Sequence, residues 1–459
     1  MSDAGRTTYD LAIVGSGSAR VAAAIEAAGR GVRVLVVEGD TLGGTCVNVG
    51  CVPSKTLLRA GEAAKRAGSA GFPGIQAQGA VVDFAEVARA RDALVSELRE
   101  RKYREVLDAA GVTLRQGRAR FIAPDRLEVD DEPVAARAYL VATGAEPVLP
   151  IIPGIEEGRV WTYLNATTAR ERPESLVVIG AGPVGLELAL AYHRLGSRVV
   201  VLEAQDRILP DEDAELTALL QGYLEAEGLQ IVTDVSVERI AGGEVHTTLG
   251  VYEGERVLVA AGRRAHTRGL GLEDADVELD GSGFVRVDSA LRSSNLRIFA
   301  AGDVAGLPQF VYVAAQSGRV AAQNALGAGA ELDLESVPRV TFTDPALATV
   351  GLSESAARER YDDVRVATLD LTDLPRALAA FDTRGRFKIV VDAEGRVLGL
   401  HVLAPEAGDV IAEGALALRL GLGYRELTKT FHPYLTLAEG VKLVAQALDE
   451  DLGRLSCCA

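Results

Sequence analysis

YDLAIVGSGSARVAAAIEAAGRGVRVLVVEGD, residues 9–40, is the stretch whose reading decides the fold. Leu11 to Val14 is an apolar run that reads as a buried strand. Gly15 and Gly17 make a tight turn, Val21 to Ala28 reads as a helix, and Val32 to Val37 reads as a second strand. Glu38 closes that strand about twenty residues after the glycines. Strand, glycine turn, helix, strand and acid together form the whole βαβ context of a dinucleotide site, which an isolated glycine pattern does not. The glycines let backbone N–H groups approach a pyrophosphate. The helix N-terminus attracts its charge, and Glu38 can bind a ribose hydroxyl.

The pattern occurs twice. SLVVIGAGPVGLELALAYHRLGSRVVVLEAQDR, residues 175–207, carries Gly180, Gly182 and Gly185, and Glu203 ends its second strand. One such motif can arise by chance, or as a glycine turn in an α/β sheet that binds nothing. Two complete ones imply two dinucleotides.

The chain has 459 residues, enough for about three domains. Apolar residues make up 48%, so a sizeable core is available. Net charge is −17 without a basic stripe, which argues against nucleic acid and acidic membrane surfaces as partners and fits plain solubility. No apolar run is long enough to span a membrane, and the N-terminus lacks the basic-then-apolar layout of a secretory signal. A cytoplasmic enzyme is the expectation, and a reducing cytosol disfavours structural disulfides.

Between the two motifs, Phe84 to Ala110 reads as a long helical stretch. YLVATGAEP (139–147), VLVAAGRR (257–264) and NLRIFAAGDVAG (295–306) are apolar strands running into small-residue turns. They indicate that the chain returns to the first domain near residue 263. From Val337 the pattern changes to β-rich segments such as RFKIVVD and VLGLHVLAPE, followed by helices. The expected fold class is α/β, with two Rossmann-like dinucleotide domains and an α+β C-terminal domain. The expected boundaries are 1–147 and 263–336 for the first domain, 148–262 for the second and 337–459 for the third.

Only four cysteines occur. Cys46 and Cys51 lie in GGTCVNVGCVPSK (43–55), and Cys457 and Cys458 lie in the terminal LSCCA. The spacing of the first pair allows a small redox loop. Pro53 suits the first turn of a helix beginning at Cys51, and a thiol at a helix N-terminus near a cation becomes a thiolate. Zinc binding and a structural disulfide are the bland alternatives. The first has poor ligand spacing and the second the wrong compartment. Adjacent cysteines at the tail can offer two thiolates to one soft metal ion and form a disulfide only with strain.

On these residues the chain resembles the flavin-dependent pyridine nucleotide–disulfide oxidoreductases over its whole length. The thiol motif together with the final SCC resembles the mercuric reductase branch of that family. The resemblance implies FAD on the first domain, held by Gly15, Gly17, Glu38, Gly43, Gly44, Thr45, Lys55, Thr143, Gly144 and Asp303. It implies NAD(P)H on the second, held by Gly180, Gly182, Gly185, Glu203 and Gly262, and a homodimer formed by the third. Cys51 is then the sulfur beside the flavin, Cys46 the outer exchanging sulfur, and Glu187 the ion-pair partner of Lys55.

Most disulfide reductases of the family place an acid–base histidine in an HPT-x-x-E stretch. Here the stretch is FHPYLTLAEG (431–440), and aligning on Glu439 puts Tyr434 at that position, with His432 two residues earlier. Tyrosine is a poor base near neutral pH. Resemblance to the Hg(II)-reducing branch instead gives Tyr103 and the partner's Tyr434 to the metal site. Cys457 and Cys458 would capture thiol-bound Hg(II) and pass it to Cys46 and Cys51. Two other readings stand beside this: a disulfide reductase of the lipoamide dehydrogenase or thioredoxin reductase type, and a non-catalytic metal-binding or redox-sensing protein. Two complete nucleotide motifs count against the latter.

Three features depart from the family pattern. Arg20 holds the third small-residue position of the first motif, where it either reaches outward over the pyrophosphate or weakens FAD binding. Glu203 favours NADH, whereas the branch uses NADPH, which Arg207 could serve if Glu203 turned away. The extra N-terminal metal-binding domain of many relatives is expected to be absent.

Overall fold

The computed structural model describes residues 9–68 and 71–451. Packing gathers the chain into two units. One takes the segments up to Ser54, 88–148 and 261–333, and the other takes 55–87, 149–260 and 334 onward. No helix among the described residues is long and apolar enough to cross a membrane.

In the first unit, β1 (Tyr9–Gly15) leads through Gly17 into α1 (Ser18–Gly29) and then β2 (Val34–Glu38). The five-stranded sheet is parallel throughout. Its order is Ile298–Ala300, Ala136–Ala142, β1, β2 and β3 (Thr113–Gln116). Strand side chains alternate, so Leu11, Ile13, Val34 and Val36 enter one core and Ala12, Val14, Leu35 and Val37 the other. Burial on both faces is why these strands are continuous apolar runs and lack alternation.

Helix α1 starts at Ser18, three residues before the apolar run suggests, because the turn itself caps it at Gly17. Its alanines Ala23, Ala24 and Ala27 are fully buried. Small residues also let helix Val311–Ala325 approach, since a Cβ on Gly318 would lie 2.0 Å from the Ala19 carbonyl oxygen.

The thiol motif forms α2 (Gly44–Asn48) and then α3 (Cys51–Gly68). The stretch expected to be one helix is α4 (Phe84–Arg99), a five-residue π-turn at Glu100–Arg104, and a short helix at Glu105–Ala109. A π-turn inserts one residue into the helical register and carries no compositional signature.

The second unit holds a second parallel sheet, ordered Gln230–Val232, Arg198–Leu202, Ser175–Ile179, Arg256–Val259 and Val160–Trp161. Helix Pro183–Arg194 follows its glycine turn, with Gly182 as cap and Pro183 at the first helical position. This unit also contains a five-stranded antiparallel sheet built from residues 339–404. Helix Glu439–Gln446 packs on that sheet. A Cβ on Gly440 would meet the Phe387 ring at 2.6 Å, so glycine there sets how closely the first turn, and Glu439 with it, can sit.

Candidate active site

Two glycines press the thiol loop onto the first dinucleotide turn. Gly43 and Gly44 adopt φ of +100° and +60°, and a Cβ on Gly44 would lie 2.6 Å from the Gly17 Cα. The Gly43 N–H donates to the Ser16 carbonyl at 3.1 Å. Asn48 closes the short helix α2 by donating from Nδ2 to the carbonyls of Leu42 (3.0 Å) and Gly44 (2.8 Å). Arg99 Nε holds the Asn48 Oδ1 at 2.8 Å. Gly50 lets the chain fold back between the two cysteines, since a Cβ there would come within 3.3 Å of the Cys46 Cα. Cys46 thus sits on α2 and Cys51 opens α3, both half-buried. Thr45 precedes Cys46 on α2, and Lys55 follows Cys51 by one turn of α3.

Tyr103 lies in the π-turn at the same place. A Cβ on Gly43 would stand 3.6 Å from its ring. Burial pushes its hydroxyl pKa up, and the negative charge of Cys46 and Cys51 pushes it further, against a hydrogen bond with Ser18 and the charge of Arg20. The hydroxyl therefore keeps its proton above the ordinary tyrosine range. Ser18 and Tyr103 border a cleft of about 530 Å³, with Val21, Ala22, Lys102 and Arg319 also on its walls. Taken alone, Tyr103 reads as a surface helix residue; the family resemblance is what assigns it to the site.

The first dinucleotide cradle fits its ligand class. Gly15, at φ +142°, has no room for a side chain, because a Cβ would lie 2.1 Å from the Ala142 oxygen. The space where Gly17 and Gly144 would carry a Cβ is open, leaving backbone exposed to a phosphate or a ring. Thr143 Oγ1 donates to the His266 carbonyl at 2.7 Å, tying the Thr143–Gly144 turn. Asp303 is gripped by Arg263 Nη1 at 2.7 Å, and burial raises its pKa against the pull of that guanidinium. Arg263 escaped the sequence reading; its signal is the basic pair directly after Gly262. Glu38 is buried and ion-paired with Arg20 at 2.7 Å. Arg20 therefore turns inward, and the outward course over the pyrophosphate is not taken.

The second cradle also has room. The position of a Gly182 Cβ is open, whereas at Gly185 it would meet the Gly180 oxygen at 2.0 Å. Glu203 accepts the N–H of Ala181 at 2.6 Å and of Gln205 at 2.9 Å. It has not turned away from the nucleotide turn, and Arg207 is committed to the Pro210 carbonyl. Gly262, at φ +111° with open space beside it, belongs to the first unit.

The structure brings Lys55 and Glu187 together. Nζ lies 2.6 Å from Oε2 and 4.6 Å from the Phe342 ring centroid, and Oε1 accepts the Phe342 N–H at 3.0 Å. In the same unit Tyr434 is exposed, while Glu439 is buried and accepts the Leu435 N–H at 3.3 Å. His432 is engaged elsewhere, its Nε2 2.9 Å from Glu413 and its Nδ1 3.0 Å from the Thr430 carbonyl. Glu413 was not legible beforehand, because it lies nineteen residues away on helix Ala407–Arg419, with a further helix, Tyr424–Lys429, in between. Cys457 and Cys458 lie outside the described residues. Among the described residues, no group of three or more His, Cys, Asp and Glu is placed to hold a metal ion.

Residues 9–318 match the pyridine nucleotide-disulphide oxidoreductase family, and residues 337–445 match its dimerisation domain. The chain is 44% identical to the mercuric reductase of Streptomyces lividans, over 99% of each chain. It is 42% identical to that of Staphylococcus aureus, over 98% of this chain and 84% of the relative. A Cu(II) complex of the HOCl-induced flavoprotein disulfide reductase RclA from Escherichia coli superposes with a TM-score of 0.87 at 29% identity, covering 96% of this chain and 99% of that one. LpdA from Mycobacterium tuberculosis does so with a TM-score of 0.86, also at 29% identity and over the same shares. The chain belongs to the pyridine nucleotide-disulphide oxidoreductase family, within its mercuric reductase branch.

Proposed function

We propose that Cys46 and Cys51 take Hg(II) from its thiol complex and hold it for two-electron reduction by NADPH through FAD, so that the chain acts as a mercuric reductase. The reaction is Hg(II) plus NADPH giving Hg(0), NADP⁺ and a proton. The observation that carries this reading is the thiol loop itself, seated on the Gly15–Gly17 turn with Tyr103 against it. When bound, FAD and NADPH supply and relay the two electrons. Residues 1–147 and 263–336 hold FAD, 148–262 hold the nicotinamide nucleotide, and 337–459 pair two copies in the homodimer. A reducing cytoplasm suits the thiol chemistry.

The chain's own groups do the following. Gly44 fixes the loop close to the cofactor turn, and Glu187 holds the Lys55 ammonium in one place beside Phe342. Cys46 exchanges ligands with the incoming thiolate complex, and Cys51 completes the sulfur pair. The Tyr103 hydroxyl, kept protonated, offers a hydrogen bond to sulfur while Hg–S bonds exchange. The cleft bordered by Ser18 and Tyr103 is the way in. Tyr434 of the partner subunit closes the site, and Cys457 and Cys458 serve as the collecting pair.

Ordinary disulfide reduction is the weaker reading. His432, the nearest histidine to the family's base position, is held by Glu413 and Thr430 and does not pair with Glu439. The test is NADPH oxidation that depends on Hg(II), with excess thiol, measured alongside release of volatile mercury. Matching stoichiometry, lost on Cys46→Ser or Cys51→Ser, is the expected result. Coenzyme oxidation with disulfides but without Hg(II) would overturn it.

A further inference from the structure

Arg20 stands where the dinucleotide fingerprint calls for a small residue that lets helix and strand pack closely. Its side chain is completely buried, with 0% exposure, and Glu38 beside it is 1% exposed. Arg20 Nη1 donates to Glu38 Oε2 at 2.7 Å and to the Gly15 carbonyl at 3.1 Å. Glu38 Oε1 is already served by two donors, the Ser16 hydroxyl and the Asp40 N–H, the latter at 2.9 Å. A carboxylate oxygen has two good acceptor positions, so Oε1 is full and Oε2 keeps one. Among the described residues Arg20 Nε and Nη2 have no hydrogen-bond partner, which excludes a fully satisfied filler role. The Gly15 carbonyl that Arg20 grips belongs to the turn expected to carry the pyrophosphate.

Two consequences follow. A buried carboxylate is costly unless paired, and Arg20 supplies the pairing charge. A dinucleotide brings two negative charges to the turn, and Glu38 alone would oppose them. With Arg20 beneath, the acid and the guanidinium cancel. The carboxylate is also locked in one orientation, aiming its single open acceptor position.

We propose that Arg20 is a positioning residue for FAD: it neutralises Glu38 and fixes its orientation, so that retention of FAD by the first unit depends on the Arg20–Glu38 pair. The proposal rests on the assignment of FAD to that unit. Its chemistry differs from the second unit, where, among the described residues, Glu203 is held by backbone N–H groups alone and Gly185 takes the place of Arg20.

The experiment is a double-substitution cycle read by FAD affinity. FAD is titrated into the deflavinated full chain and followed by quenching of flavin fluorescence. Arg20→Met keeps the bulk and removes the charge. It is expected to weaken FAD binding by about tenfold, with partial recovery in Arg20→Lys. In a Glu38→Gln background, the same Arg20→Met change is expected to alter affinity by less than about threefold. If Arg20→Met folds only when Glu38→Gln is also present, the pair is equally upheld, because the unpaired carboxylate is then what disrupts the unit. Unchanged affinity in Arg20→Met overturns the proposal. Equal weakening in both backgrounds, or failure to fold in both, overturns it too and leaves Arg20 as packing. Failure of the unsubstituted chain to bind FAD overturns the cofactor assignment, and the proposal falls with it.

Discussion

The two βαβ units solve the same problem with opposite residues. Each starts with a glycine whose carbonyl oxygen faces the third fingerprint position five residues later. In the second unit that position is Gly185, where a Cβ would lie 2.0 Å from the Gly180 oxygen. In the first it is Arg20, whose guanidinium donates to the Gly15 oxygen at 3.1 Å. The same carbonyl is thus met by close packing in one unit and by a buried cation in the other. The acids differ to match. Among the described residues Glu203 accepts only backbone N–H groups, while Glu38 accepts a guanidinium, a hydroxyl and a backbone N–H. The fingerprint therefore specifies a geometry, a helix start facing an acid, and more than one set of contacts can hold it.

Copying the first solution into the second unit should break it, and this is the largest effect expected. Gly185→Arg forces a side chain into a space closed by the Gly180 backbone, which cannot yield as a flexible side chain would. Overpacking of this kind costs about 1–3 kcal/mol where side chains relax, and more against backbone. The variant should keep its flavin, yet bleaching of that flavin by NADPH under anaerobic conditions should be lost. Normal bleaching would mean that the second helix can give way to a side chain at this position, and the steric account of the difference would fail.

The strand–turn–helix–strand order of both units is legible because parallel strands buried on two faces are unbroken apolar runs and glycine turns punctuate them. Boundaries shift by a few residues where a turn extends a helix, as at Ser18. The thiol loop is legible as chemistry, but its seat on Gly17 is not, since that depends on the positive φ of Gly43 and Gly44. Arg20 was visible as an anomaly, while its inward course depends on Glu38 and the Gly15 carbonyl that receive it. The turn that inserts Tyr103 and the hold of Glu413 on His432 are set by register and by a separate helix, which composition does not encode.

The acids give the next effect. Glu203 stays at the nucleotide turn of the second unit, where a carboxylate repels a 2′-phosphate and accepts ribose hydroxyls. Glu203→Ala should raise the ratio of kcat/KM for NADPH over NADH by about tenfold, the equivalent of one charged contact. Flavin affinity should not move. An unchanged ratio would show that Glu203 does not face the ribose, and the likeness between the two acids would end at their position in the strand.

The smallest effect concerns the residue between the first two glycines, serine in the first unit and alanine in the second. Ser16 donates its hydroxyl to Glu38, whereas Ala181 offers Glu203 only its N–H. Ser16→Ala removes one donor from an acid that keeps Arg20 and the Asp40 N–H. Loss of one hydrogen bond to a charged group that keeps other partners costs about 1 kcal/mol, so FAD affinity should fall by about fivefold. In the reverse exchange, Ala181→Ser adds a hydroxyl beside an acid already served by backbone, and coenzyme affinity should change by less than about twofold. If the two exchanges have equal effects, the side-chain donors around Glu38 are not what distinguishes the units, and the difference must lie with Arg20 alone.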